Sequence, residues 1–558
     1  MRQAVSITAL ARWLVIVALL VNAAGLVTPI VNAGDSVTYA ALSQHIALNQ
    51  DWVNLILDGQ DWLDKPHFPF WLTALFFKLF GVSALSYNLP GFLFHVLGAY
   101  FTFRLARLFY SPEAAWLSVL VFVSAFQVMQ TSTDVRAETY LTGSITGACY
   151  YWLRHDATPR LKFLLLGAMF SAMAVMTKGI FTLITIGSGL LAMWIFQRRW
   201  HEMGRAKWWL ALLLTLLFTG PELLALYLQF DAQAQKQVFG QTQVSGIRFF
   251  LWDSQFGRFF NTGPIRNTDG NPVFFLHVFL WAFLPWTGVA FAAVIRAWRE
   301  FGASPAAQRT ALVYLAASFF VTFALFSLTS FQLDYYAVIL FPFAAVVCGQ
   351  FLDRLLKGSG HHRPLYAIQI LLSVLLLAMA LGMALYTDQA VVVGALLLML
   401  VLGLAGAQQL PQRSRVLLVF PLLGVALLYT SITLLVTLSY LSLGLAYKVD
   451  RALAAQTRSP IYVWRMPLVA RELALYSPAP CQLARASADL PLGGAPYYLV
   501  IRAAELAQMG ETLAQAEPVA QGHWALEKTG LLPRMLRLAK GTEALEDVRV
   551  FRVKPGSP

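Results

Sequence analysis

Asp35 and Lys65 stand near the two ends of a polar stretch that follows the first apolar run. Their segments are Gly34-Asp35-Ser36-Val37-Thr38-Tyr39 and Leu63-Asp64-Lys65-Pro66-His67-Phe68-Pro69-Phe70-Trp71. Ionisable groups at the edge of an otherwise lipid-soluble chain are costly to keep and point to function. A carboxylate such as Asp35 can take a proton from, or orient, an acceptor hydroxyl or phosphate. It can equally cap a helix over Ser36–Asn49, where Tyr39, Leu42 and Ile46 share one face, and the two roles are compatible. Two prolines stiffen the turn that presents Asp64 and Lys65 just ahead of Phe70-Trp71-Leu72. The Lys65 ammonium suits a phosphate as a point charge, or snorkels beside aromatic anchors. His67 has the chemistry of a metal ligand, although a lone His between prolines is more often a plain loop residue.

Four further stretches share this character. Thr133-Asp134-Val135-Arg136-Ala137-Glu138 sets three ionisable groups between two apolar runs, as a sugar- or phosphate-contacting turn or as a self-paired exposed loop. Lys178, before Gly179, is an isolated cation with the same two readings as Lys65. In Trp252-Asp253-Ser254-Gln255-Phe256-Gly257-Arg258-Phe259-Phe260, aromatics flank Asp253 and Arg258. Arg258 can grip a phosphate through two parallel bonds, or the whole segment can lie along the membrane interface without a ligand. Gln332-Leu333-Asp334-Tyr335-Tyr336 opens an apolar run; tyrosines there, Tyr336 included, also suit the interfacial belt.

The elements that must position these groups follow from composition. The 558 residues are 58% hydrophobic and 12% charged, against roughly 25% charged in soluble domains. The net charge of +13 does not indicate nucleic acid, because the positives lie in short loops between apolar runs. Apolar runs from 9–31 to 415–444 predict an α-helical polytopic membrane protein with about thirteen spans. With the N-terminus in the cytoplasm, alternate loops carry Arg104/Arg107, Arg154/Arg160/Lys162, Arg198/Arg199/Arg205/Lys207, Arg296/Arg299/Arg309, Arg354/Lys357/Arg363 and Arg413/Arg415. The opposite loops are much poorer in Lys and Arg, so the long stretches 32–87 and 231–271 and the tail fall outside. We divide the chain into a membrane domain, 1–446, and an outer α/β domain, 447–558. In the latter, Ile461–Trp464, Tyr497–Ile501 and Val548–Val553 read as strands, and Pro467–Tyr476 and Ala503–Ala514 as helices.

Cys149, Cys348 and Cys481 form neither a disulfide framework nor a metal spacing. No phosphate-loop motif is present, so an activated substrate on the outer face would be lipid-carried. No metalloprotease or α/β-hydrolase signature occurs either.

Asp35 and Tyr39, then Asp64-Lys65-Pro66 and Trp71-Leu72-Thr73-Ala74, form a pattern that resembles the bacterial aminoarabinose transferase and protein mannosyltransferase superfamily. The resemblance continues through Leu79-Phe80-Gly81-Val82-Ser83, Thr177-Lys178-Gly179, Arg258-Phe259 and Phe341-Pro342. It implies a GT-C fold and a glycosyltransferase that uses a polyprenyl-phosphate sugar. It also implies that Asp35 is the catalytic carboxylate, that Lys65 contacts the carrier phosphate, that Arg258 assists the leaving phosphate, and that transfer is a single inverting displacement. The chain departs from the family pattern in four places. No Arg follows Asp35, Asp64 replaces a Glu, Gln255 replaces a His, and Phe331-Gln332-Leu333-Asp334 replaces Ser-Lys-Leu-Pro. Losing the imidazole removes a good ligand, so no cofactor is assigned; Asp64, Gln255 and His67 stand as the candidates for a divalent metal.

The resulting expectation is an inner-membrane enzyme moving a sugar from undecaprenyl phosphate to a lipopolysaccharide component, another envelope glycan or a protein at the periplasmic face. A cavity above the spans should hold Asp35, Lys65, Asp134, Lys178 and Arg258, with Tyr39, Asp64, Arg136, Glu138, Asp253 and Tyr336 also contacting substrate. A lipid-linked sugar transporter or an inactive envelope scaffold are the alternatives. Charges at the outer ends and the lack of internal repeats weigh against the transporter.

Overall fold

The computed structural model describes residues 6–30, 35–266, 270–358, 362–443, 449, 459–477, 479–491, 495–513, 516–524 and 546–554. The expected boundary at 446/447 lies outside them.

Helices dominate. Among the described residues eight are long and apolar enough to cross a membrane, from Ile7–Val27 to Gln412–Leu438, so the chain is a multi-pass membrane protein. Two bent pairs raise the number to ten: Ala206–Phe218 with Gly220–Asp231, bent by 43°, and Phe274–Ala282 with Thr287–Glu300, bent by 115°. The other expected spans are helical but do not meet the same test. Pro112–Val123 and Thr182–Phe196 are short. Ala137–Ala157 is long enough but polar, and almost every side chain along it is buried. A helix sealed inside a bundle need not be apolar, provided its polar groups are satisfied. Thr142, Ser144 and Thr146 donate to carbonyls one turn back at 2.7–2.9 Å.

The long stretch after the first apolar run is more ordered than a loop. Residues 35–49 form a helix that buries Val37, Tyr39, Leu42 and Ile46. A two-residue hairpin joins Ile56–Leu57 to Gln60–Asp61, with Asp58 and Gly59 both at positive φ, as such turns require. Phe68–Phe80 is a second helix, with proline in its first turn. Ala84–Phe109 then starts within the stretch expected to be loop up to residue 87. These pieces share a hydrophobic cluster of Ile30, Val37, Tyr39, Phe70, Tyr87 and Tyr140.

The C-terminal domain holds a five-stranded sheet. Its order is Cys481–Ala484, Ile461–Trp464, Tyr497–Arg502, Glu546–Val553 and Glu517–Trp524. The first three strands are parallel and the last two pairings antiparallel. Tyr497–Ile501 is buried throughout because both faces of the sheet are covered. Helix Pro467–Tyr476 packs on one face, beside Val463 and Val500, and the 3-10 segment Ala503–Met509 on the other, beside Leu499 and Ile501. Two strands escaped the sequence pattern. Cys481–Ala484 has no β-branched or aromatic residue, and Glu517–Trp524 carries proline, glycine and a bulge.

Candidate active site

Helix ends place the charged groups. Asp35 begins helix 35–49, Glu138 lies in the first turn of Ala137–Ala157, and Lys178 ends Leu161–Lys178. Each suits the sign of its helix dipole before any pairing. Gly179 follows Lys178 at φ +107°, and a Cβ there would collide with the Gln255 amide, so only glycine permits this turn.

On one side lies an acidic half. Asp35 Oδ2 accepts a 2.8 Å hydrogen bond from the Tyr335 hydroxyl. The Arg136 guanidinium sits 4.1 Å over the Tyr335 ring and donates to Asp134 Oδ2 at 2.8 and 3.0 Å. Ser36 donates to the other Asp134 oxygen.

On the other side lies a cationic half. Lys178 is buried against Glu138, and its Nζ lies 3.2 Å from the centre of the Tyr336 ring. Asp64 pairs with Lys65 at 2.7 Å and with Arg258. Arg258 also donates to the Asp64 carbonyl at 3.0 Å. Burial pushes the Asp64 carboxyl up, but Lys65 and Arg258 outweigh it and hold it below the ordinary carboxylate range. Tyr335 and Tyr336, with ring centres 5.4 Å apart, join the two halves. Tyr39 is buried beside them, edge-on to Phe70.

Lys178, Arg258, Gln255 and Tyr336 form the polar end of a cavity of about 270 Å³. Phe181, Ile184, Phe259, Leu325 and Phe326 make the rest of it apolar. Arg258 Nε, Gln255 Oε1 and Glu138 Oε2 are buried with no hydrogen-bond partner among the described residues. Of these three atoms only Arg258 Nε is a donor, so an anionic head entering the apolar cavity would meet the Lys178 ammonium and the unused Arg258 N–H.

Several expectations need correction. His67, in the turn before helix Phe68–Phe80, is fully buried. Its ring nitrogens meet Glu222 at 2.9 Å and the Val53 carbonyl at 3.0 Å, leaving neither for a metal. Asp253 is partly exposed and lies 3.5 Å from the exposed Arg248, outside the cavity headed by Lys178 and Arg258. Asp64 is neutralised by two cations, and the Gln255 amide faces backbone carbonyls and Ser254. Among the described residues no three His, Cys, Asp or Glu side chains gather into a metal set. These donors do not fit a divalent metal. The sequence reading also passed over Tyr335, taken with Tyr336 as belt, and Glu222, whose signal was a lone carboxylate inside an apolar run.

Comparison with known proteins gives the fold and the relatives of the chain. The dolichyl-phosphate-mannose-protein mannosyltransferase family matches residues 64–224. Undecaprenyl phosphate-alpha-4-amino-4-deoxy-L-arabinose arabinosyl transferases are similar in sequence. The one from Edwardsiella ictaluri is 27% identical over 335 residues, covering 58% of this chain and 56% of its own length. One from Pseudomonas aeruginosa is 27% identical over 337 residues, with the same coverage. The chain thus spans little more than half the length of these curated relatives in the matched regions. The crystal structure of ArnT from Cupriavidus metallidurans bound to undecaprenyl phosphate superposes with a TM-score of 0.72, at 18% identity, covering 97% of this chain and 98% of that one. The fold is GT-C. The apo ArnT structure gives 0.70 over the same shares. The GT-C resemblance read from Asp35, Lys65, Lys178 and Arg258 therefore extends over the membrane domain and the C-terminal sheet together.

Proposed function

We propose that this chain is an inner-membrane glycosyltransferase. It takes a sugar from an undecaprenyl-phosphate-linked donor and passes it to a lipid A, envelope-glycan or protein acceptor at the periplasmic face. The N-terminus is cytoplasmic and the C-terminal domain periplasmic, the orientation that places the arginine-rich loops inside. The observation that carries the reading is the joining of the two halves by Tyr335, with a carboxylate on one side and an apolar cavity headed by Lys178 and Arg258 on the other.

In this reading Asp35 accepts the proton of the acceptor hydroxyl, and Tyr335 holds the carboxylate in place. The hydroxyl oxygen bonds to the anomeric carbon as the bond from that carbon to the phosphate oxygen breaks, with inversion. The leaving phosphate gathers negative charge where Lys65, Lys178 and Arg258 can receive it. No step is routed through a metal.

The test supplies radiolabelled undecaprenyl-phosphate sugars to membranes holding the wild type or Asp35→Asn at equal expression, and separates lipid, glycan and protein fractions. Label leaving the carrier with the wild type alone supports the enzyme and names its acceptor class. Label that crosses the bilayer but stays on the carrier would make the protein a transporter.

A further inference from the structure

Arg471, in the C-terminal domain, reaches back some four hundred residues to the helix that bears Asp35. Its Nε and one terminal nitrogen grip both Asp58 oxygens, at 3.1 and 2.6 Å. The other terminal nitrogen donates to Thr38 Oγ1 at 3.0 Å. Thr38 lies one helical turn from Asp35, so this bond acts on the turn that carries the carboxylate. The pair is well shielded, with side chains 16% and 9% exposed. A two-toothed guanidinium–carboxylate contact there fixes geometry as well as charge.

Arg471 does not act alone. Along the same helix, the Ala474 carbonyl accepts from Gln44 Nε2 at 2.7 Å, and Leu475 is buried in the cluster with Val37, Tyr39 and Phe70. The Tyr476 hydroxyl accepts from the Ile30 amide at 2.5 Å. Helix Pro467–Tyr476 therefore holds the end of the first span and the helix beginning at Asp35 on either side of residues 31–34. Asp58 sits at the tip of the hairpin whose next residues are also tied down. Asp61 pairs with Lys236 at 2.9 Å, and Gln229 bonds to Leu55 and Asp61.

We propose that Arg471 is a positioning residue, through which the C-terminal domain sets the Asp35 helix against the donor cavity. The proposal rests on the glycosyltransferase reading for its kinetic consequence, although not for the clamp itself. Since Arg471 touches no donor-cavity residue in this structure, its loss should leave carrier binding intact and lower turnover. A shift of about 1 Å at a catalytic group costs roughly a hundredfold.

The experiment uses the full-length protein in detergent, as wild type, Arg471→Gln, the charge swap Asp58→Arg with Arg471→Asp, and Arg465→Gln as a control for an exposed arginine of the same domain. Three quantities are read: kcat, undecaprenyl phosphate affinity, and amide hydrogen exchange over residues 35–49. We expect kcat to fall about ten- to a hundredfold in Arg471→Gln, with carrier affinity unchanged and faster exchange in 35–49. The swap should recover much of both losses, and Arg465→Gln should match the wild type. Equal kcat and equal exchange in Arg471→Gln would overturn the proposal, as would a loss of carrier affinity as large as the loss of kcat. If the wild type transfers no sugar, the enzymatic reading fails by itself and exchange alone decides the clamp.

Discussion

The two halves of the site are built from the same residue types with opposite balance. The Asp35 half sets two carboxylates, Asp35 and Asp134, against one guanidinium, Arg136. The cavity half sets three cations, Lys65, Lys178 and Arg258, against Asp64 and Glu138. Lys178 and Arg258 stand at the end of the apolar cavity with Lys65 behind Asp64, and three cations against two carboxylates leave an excess positive charge that is expensive to keep from water. The carboxylate-rich half needs no such ligand, since Arg136, Ser36 and Tyr335 already satisfy it. In the proposed reading this difference divides the labour: the Asp35 half takes up a proton, while the cationic half receives a phosphate.

The largest effects should come from breaking each half separately. Asp35→Asn keeps the shape of the first half and removes its basicity. We expect kcat to fall by ~10²–10⁴ with carrier affinity unchanged. Lys178→Met removes a cation of the second half, and both affinity and kcat should fall, with kcat down by ~10²–10³. Isothermal binding of undecaprenyl phosphate alongside initial rates separates the two. If Asp35→Asn weakened carrier binding as much as Lys178→Met does, the division between the halves would be wrong.

The halves also differ in how far the sequence disclosed them. Lys178 and Arg258 were legible as charges among apolar residues, and Asp35 and Lys65 as charges in a polar stretch that follows an apolar run; a membrane makes such groups costly. The C-terminal strands Ile461–Trp464 and Tyr497–Arg502 were legible through their β-branched and aromatic runs. Tyr335 was not, because an aromatic at a span end has an ordinary interfacial role and only three dimensions show its hydroxyl on Asp35. His67 misled, since its partner Glu222 lies 155 residues away and no local pattern announces a buried pair. Ala137–Ala157 passed as an ordinary span in the pattern; its polarity reflects a place inside the bundle, where neighbouring helices stand in for lipid.

A smaller effect concerns Asp64, the counter-ion shared by Lys65 and Arg258. Its carboxyl is held below its ordinary value of 3.8. For a lowered pKa, the stabilisation is whole above the ordinary value and is lost as pH falls through the lowered one. Asp64→Asn should therefore lower Tm by a pH-independent amount between about pH 5 and 8, and the gap from the wild type should close only below about pH 4. Differential scanning fluorimetry across that range checks it. A gap that closed near pH 6 would mean that Asp64 is not the anchor of the cationic half.

The smallest expected effect is at Asp253, five residues before Arg258 and on the opposite face. Its partner Arg248 is 74% exposed and 3.5 Å away, an arrangement that water and salt screen almost completely. Asp253→Asn should leave kcat, carrier affinity and Tm within error of the wild type. Trp252, Asp253 and Phe256 line a separate cleft of about 450 Å³. A fall in acceptor affinity alone, at unchanged carrier affinity, would show that the acceptor reaches across the Ser254–Phe259 helix and that the carboxylate-rich half extends beyond Asp35.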